Sequence, residues 1–245
     1  MMIKTARLLL FSICAWAILP AFSTAQDSDW MVSSLLRFET HSDETSTAGG
    51  TDDDFIYHML SFTKEIRPRT MGNFFYLYRY DVDNNDYDAN ILGANYVRLF
   101  KSYSFSASYF FSDDNRIARD QDRFLLAVND LLHQYKNNSE WRLVSTYTTQ
   151  TDWDEGQTIT ERLSYTFPTS DRSTLTLAYT YGYSFDIDHQ IYNQYNIAYN
   201  YTYNKQMTLM LDYLFLGKEY SYLVGGVPFT PDDDNVFRLS MMYYY

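Results

Sequence analysis

The chain holds a single cysteine, Cys14, and that residue lies inside an apolar run near the start. A disulfide framework and a cysteine-based zinc site are therefore excluded. Long apolar stretches are as scarce. The only one runs from Leu8 to Phe22, and mean hydropathy is −0.39. A multi-span helical membrane protein needs several runs of about 20 apolar residues, so that class is excluded too. Basic residues are few, 19 Lys and Arg against 31 Asp and Glu, which disfavours nucleic acid as a partner. No Gly-rich phosphate loop, HExxH or GxSxG occurs. Aromatic residues are what the chain has in excess: 25 Tyr, 17 Phe and 4 Trp bring the aromatic share of 245 residues to 19%. Disordered segments are poor in such residues, and the length suits one domain of ordinary size.

The first segment reads as an address. Met1 to Arg7 carries Lys4 and Arg7 and no acid, an apolar stretch follows, and Ser23-Thr24-Ala25 closes it. Small residues at the first and third positions of that triplet fit signal-peptidase cleavage before Gln26. Ile13 precedes Cys14 in mid-run, which does not fit a lipoprotein signal. Residues 1–25 are thus expected to be a signal peptide and residues 26–245 one exported domain. Loss of Lys4 and Arg7 leaves 17 basic and 31 acidic residues, a formal charge of −14.

The exported part alternates with period two, the period of a strand whose successive side chains face opposite sides. Leu175, Leu177, Tyr179, Tyr181, Tyr183 and Phe185 alternate with Thr174, Thr176, Ala178, Thr180, Gly182 and Ser184. Tyr103, Phe105, Ala107, Tyr109 and Phe111 alternate with Ser104, Ser106 and Ser108; Phe74, Tyr76, Tyr78, Tyr80 and Val82 form another row. The second face is mostly Ser, Thr, Asn, Gly and Ala. A soluble sandwich would turn charged residues to water, whereas a small polar face suits the lumen of a barrel whose apolar face meets lipid. Twelve strands are expected, over 30–40, 55–64, 74–82, 90–100, 103–112, 123–132, 140–150, 158–167, 174–185, 193–203, 207–216 and 235–245. Lengths near ten residues fit tilted strands crossing a bilayer, and an even count brings both ends of the sheet to one side. The second, fourth and sixth strands have weak phase and no assigned facing.

The connections alternate as well. Short ones are expected at Lys101-Ser102, Lys136-Asn137-Asn138, Pro168 to Asp171 and Asn204-Lys205, with a somewhat longer one from Glu65 to Asn73. Longer acidic ones are expected around Asp52 to Asp54, Asp83 to Asp88, Asp113-Asp114, Asp152 to Glu155, Asp186 to His189 and Pro231 to Asp234. Short turns on one side and long loops on the other match periplasmic and extracellular ends. Only about four residues lie between the expected cleavage point and the first strand, so neither a plug nor a periplasmic domain is expected.

The last nine residues, FRLSMMYYY, place Phe237, Leu239, Met241, Tyr243 and Tyr245 at alternate positions. With the signal peptide and the alternating strands, this ending resembles the Gram-negative outer-membrane β-barrel proteins, which end in an aromatic residue preceded by alternating apolar ones. The class usually ends in Phe, and Tyr245 departs from that. The resemblance implies an all-β fold, a transmembrane antiparallel up-and-down β-barrel. It also implies recognition of those five positions by the barrel-assembly machinery, contact with outer-membrane lipid and lipopolysaccharide, and residence in the outer membrane. Twelve-stranded members include acidic-oligosaccharide channels, nucleoside channels and a phospholipase, and fold does not choose among them.

Parity places Arg37, Arg79, Arg142, Arg162 and Arg238 on the inward face, joined by Arg123 if Phe124, Leu126 and Val128 face out. The inward acids are Glu39, Asp81 and Asp212. Arg79 and Arg162 are expected near mid-height on roughly opposite walls, and Arg37 and Arg238 as neighbours across the barrel seam with Asp212 beside Arg238. Rings of arginine favour anions in pores, so the leading expectation is a passive, porin-like channel for small anionic solutes. The rival is a structural or interaction barrel whose lumen is filled by a salt-bridge network and whose acidic loops meet a partner. Asp81, Asp83, Asn85 and Asp86 resemble the start of a calcium loop. Asp86 stands where Gly is needed and Leu92 where Glu is needed, so a solvated loop is preferred and no metal or cofactor is expected. A lipid-modifying enzyme would need a His–Ser pair on the outer face. His58 and Ser61, the nearest pair in sequence, are three apart and so fall on opposite faces. A protease could use Asp186, Asp188 and His189. Finally, Gly225-Gly226 permits a sharp bend by which the segment 218–234 could fold inward as a constriction.

Overall fold

The computed structural model describes residues 30–41, 54–82, 86–114, 121–150, 157–186, 188–217, 222–224, 227–229 and 234–245. The expected signal peptide lies outside them. Twelve antiparallel strands close on themselves: β1 (Trp30–His41), β2 (Phe55–Arg67), β3 (Thr70–Asp81), β4 (Asp86–Leu99), β5 (Tyr103–Asp114), β6 (Gln121–Gln134), β7 (Glu140–Gln150), β8 (Thr158–Ser170), β9 (Ser173–Ser184), β10 (His189–Thr202), β11 (Met207–Gly217) and β14 (Asp234–Tyr244). β12 (Tyr222–Val224) and β13 (Val227–Phe229) form a separate small hairpin between β11 and β14. Each barrel strand pairs with its sequence neighbour, and β1 pairs with β14 across the seam. Closure satisfies every strand edge, which hydrocarbon demands because it offers no water to an unpaired N–H.

Several strands run further than the alternation foretells. β3 begins at Thr70, and the connection expected over Glu65 to Asn73 is a two-residue turn, Pro68-Arg69, with Arg69 at a positive φ of 63°. β8 runs through Pro168 to Ser170, leaving only Asp171-Arg172 as a turn. The ladder shifts register between Pro168 and Ser170, where proline has no N–H to give. β4 and β10 begin at Asp86 and His189, so two of the expected long loops shrink to four residues each. These extensions, TMGN, DYDA, PTS and HQIY, mix polar and apolar residues without a clean alternation, and that masked the strand. The β12–β13 hairpin has no counterpart in the sequence reading. The Gly225-Gly226 bend and its inward course lie outside the described residues.

The register fixes which face is which. Trp30, Phe74, Tyr76, Leu92, Tyr109, Val128, Leu163, Leu177, Tyr195, Ile197, Leu211 and Leu239 share one parity through the pairing, and all are exposed, Phe74 to 58% and Leu92 to 56%. An apolar band continuous around a barrel cannot face water; it is the lipid-facing surface, and the opposite parity is the lumen. This assigns the strands whose phase was weak. His58, Leu92 and Val128 face out, while Tyr57, Ile91 and Leu125 face in.

At the end with the longer loops, one hydrogen bond recurs from hairpin to hairpin. The hydroxyls of Tyr76, Tyr109, Tyr179 and Tyr213 donate to Asn90, Asp122, Asn193 and Asn235 on the next strand. In each case the acceptor lies two residues beyond the tyrosine's paired residue, toward the loops. The other two hairpins keep the positions, Phe38 with Asp54 and Tyr147 with Gln157. The six aromatic positions mark one level of the barrel, with rings in lipid and polar groups at its edge. That level steps by two or four residues from one hairpin to the next, as strand tilt requires.

Candidate functional site in the barrel lumen

With that tyrosine level as reference, the inward arginines form a staircase. Arg79 stands three residues beyond it toward the loops and Arg123 one residue beyond. Arg37 and Arg238 lie one residue below it, Arg162 three below and Arg142 five below. Two residues of a tilted strand correspond to about 5 Å of height, so the ladder descends in short steps. Arg79 is thus above the position expected for it, near the loop end, and Arg142 is near the opposite end. Arg79 on β3 and Arg162 on β8 do occupy well-separated walls, five strands apart.

The middle rungs are joined. At the seam Arg238 pairs in register with both Glu39 and Asp212, and its Nε binds the Glu39 carboxylate. Glu39 is buried, and its other oxygen accepts the Tyr57 hydroxyl at 2.8 Å. Arg37 faces Ser240 across the seam and donates to its Oγ at 3.0 Å, with its guanidinium carbon 6.0 Å from the Tyr57 ring centre. It also lies within electrostatic reach of Arg238, Glu39 and Asp212. Further round, Arg162 donates to Asn196 Oδ1 at 2.7 Å, and the Asn196 amide reaches Asp212 at 3.5 Å. Arg79 lies 5.2 Å from the Phe55 ring centre. Five guanidinium groups, those of Arg37, Arg79, Arg123, Arg162 and Arg238, thus share the lumen above Arg142 with three carboxylates, Glu39 and Asp212 by the seam and Asp81 on the strand of Arg79.

The lower rung is different. Arg142 makes a two-point ion pair with Glu140, at 2.6 and 3.2 Å, and reaches Asn129 at 3.4 Å. Its charge is met by an acid the sequence reading passed over, although residues two apart on a strand share a face. Tyr57, Asn196 and Ser240 were also missed; only register brings them to the arginines. Asp81 is buried at the loop end of β3 and pairs in register with Phe55 and Asp86, away from the seam cluster.

Two to three strands round from the seam, Gly93 on β4 faces inward beneath Phe75 on β3. A Cβ built on Gly93 would stand 2.2 Å from the Phe75 ring, so the ring lies flat against β4 because this position has no side chain. Met59, Leu77, Ile91 and Leu125 also face inward on β2, β3, β4 and β6. An apolar arc thus runs over β2 to β6, interrupted by Asn73, Arg79, Asn95 and Arg123.

On the outer face, His58 Nε2 meets Ser34 Oγ at 3.2 Å. Ser61 faces inward and accepts from Asn73 at 2.5 Å, so the expected separation of His58 from Ser61 holds, and the histidine's partner is a different serine. Asp188 accepts the Tyr183 hydroxyl and Asp186 accepts the Gln157 amide at 2.9 Å; the His189 side chain lies outside the described residues. Residues 83–85 of the calcium-like stretch lie outside them too. Among the described residues no three His, Cys, Asp or Glu gather as for a metal. Phe237, Leu239, Met241, Tyr243 and Tyr245 fall on the lipid-facing side of β14 and the residue after it.

Solved structures share this architecture. The KdgM porin superimposes with a TM-score of 0.57 over 87% of this chain and 99% of its own, at 9% identity. Its complex with disordered oligogalacturonate matches equally well, with a TM-score of 0.57 at 9% identity. The COG4313 outer membrane channel from Pseudomonas putida F1 gives a TM-score of 0.59 over 88% of this chain and 95% of its own, again at 9% identity. At such identity the likeness establishes the fold and carries no residue across. No protein-family model and no curated protein sequence matches the chain. The chain has the fold of an outer-membrane porin or channel.

Proposed function

We propose that the barrel sits in the bacterial outer membrane and passes small anionic solutes down the arginine ladder of its lumen. The observation that carries this reading is the excess of guanidinium on the inward face above Arg142, Arg37, Arg79, Arg123, Arg162 and Arg238 against Glu39, Asp81 and Asp212. An anion that leaves one arginine finds the next about one step lower, which is the multi-site arrangement conduction needs. The fold supports it, since a barrel of this architecture is solved as the KdgM porin with oligogalacturonate, a polyanion. The apolar arc around Phe75 would lie against the uncharged face of such a solute. On the same reading, Phe237, Leu239, Met241, Tyr243 and Tyr245 are the strand end that the assembly machinery reads.

A second reading draws on the Arg238–Glu39–Tyr57 and Arg142–Glu140 contacts, which could equally brace a filled lumen. The two part on solute entry. In proteoliposome swelling, the channel reading predicts faster entry of a small carboxylate than of an amine of equal size; no swelling with either solute establishes the filled barrel. The Ser34–His58 bond does not by itself make a hydrolase, which needs an oriented base and an oxyanion site. It reads as two polar groups satisfying each other against lipid.

A further inference from the structure

The described residues at the short-turn end carry a charge pattern opposite to that of the chain as a whole. Arg69, Lys101, Lys136, Arg172 and Lys205 are exposed there, one in each of the five short turns of a chain with net charge −12. Two more basic residues, Lys64 and Arg98, fall on the lipid-facing parity of the strand ends. The acids of this end are fewer. Glu65 accepts the Arg69 amide, Glu140 faces inward against Arg142, and Asp130 and Asp171 remain.

The basic residues stand among outward rings. Lys64 Nζ lies 5.6 Å from the Trp30 ring centre, Phe100 stacks on Tyr103 at 4.4 Å, and Tyr135, Trp141 and Tyr165 continue the belt. Aromatic rings of this kind sit at the headgroup level, where long basic side chains extend toward phosphate. A docking protein would meet one patch. Here the charge goes right round, a cation at every turn. That distribution fits a ligand that surrounds the barrel on all sides.

We infer that the short-turn rim is a binding collar for anionic phospholipid headgroups of the periplasmic leaflet. It holds the barrel at its depth. The collar depends on the membrane orientation and is independent of whether the lumen conducts.

Tryptophan quenching tests it, because Trp30 and Trp141 both lie in this belt. Residues 26–245 carrying Trp153→Phe are refolded into vesicles, and quenching by brominated phosphatidylglycerol is compared with quenching by brominated phosphatidylethanolamine. At about 20 mM salt the collar predicts a roughly three- to tenfold preference for the anionic lipid, shrinking toward parity as salt screens the headgroups. Replacing Arg69, Lys101, Lys136, Arg172 and Lys205 by Gln removes it. Should that variant fail to fold, Lys101→Gln with Lys205→Gln, on opposite sides of the barrel, must lower the preference by itself. Parity at low salt, or a preference that survives these replacements, overturns the inference.

Discussion

Glu39 is the residue on which the lumen turns. It is 4% exposed and holds the Arg238 guanidinium with one oxygen and the Tyr57 hydroxyl with the other. Glu39→Gln leaves Arg238 facing Arg37 with less compensation, and an uncompensated charge in a confined site is costly. The variant is expected to lose about 1–3 kcal/mol of stability and to become more anion-selective. Urea unfolding in vesicles reads the first effect and the reversal potential the second. A loss of stability with reduced selectivity would contradict the account. Gly93→Ala is a second test at this scale. The Phe75 ring must swing off β4, at about 1–3 kcal/mol, and into the lumen, so conductance falls; adding Phe75→Ala restores it. The arginines themselves were legible, since parity on a well-phased strand assigns a face. Their partners were not, because Tyr57, Asn196 and Ser240 belong to other strands and only register joins them. Glu140 was the exception, two residues from Arg142 on the same strand.

At the scale of strands, the repeated tyrosine bond is the element the pattern contained without revealing. Tyr76, Tyr179 and Tyr213 each donate to an asparagine on the following strand, in three separate hairpins. Replacing all three by Phe should cost about 0.5–1.5 kcal/mol per site, and the costs should add because the hairpins share no partners. Single, double and triple variants compared by urea unfolding check the additivity; a triple variant no weaker than one single would contradict it. The strands themselves were legible where one face is Tyr, Phe or Leu and the other Ser, Thr or Asn, as in β5, β9 and β10. β2, β4 and β6 resisted because their inward face is apolar too: Tyr57 and Met59, Ile91, and Leu125 occupy the lumen side. That ambiguity is itself the trace of the apolar arc. Strand ends escaped notice for another reason. There polar and apolar residues mix, and the alternation disappears although the ladder continues.

The whole molecule is graded in charge from one end to the other. Acids collect near the long loops, arginines step down the lumen, and lysines and arginines ring the short turns. On the proposed reading the loop carboxylates do not decide which ion passes, because at physiological salt a charge in water is screened over about 8 Å. On the same reading the confined arginines are screened less and set the selectivity. The net charge of −12 gives no hint of the inward arginines; the strand phase does. Planar-bilayer recording of the refolded chain under a salt gradient tests this most directly. The account predicts discrete steps with a reversal potential on the anion side for the unaltered protein, and a potential moved toward zero in Arg79→Gln/Arg162→Gln. A folded barrel that passes no current, or one whose selectivity is unchanged in the double variant, would contradict it.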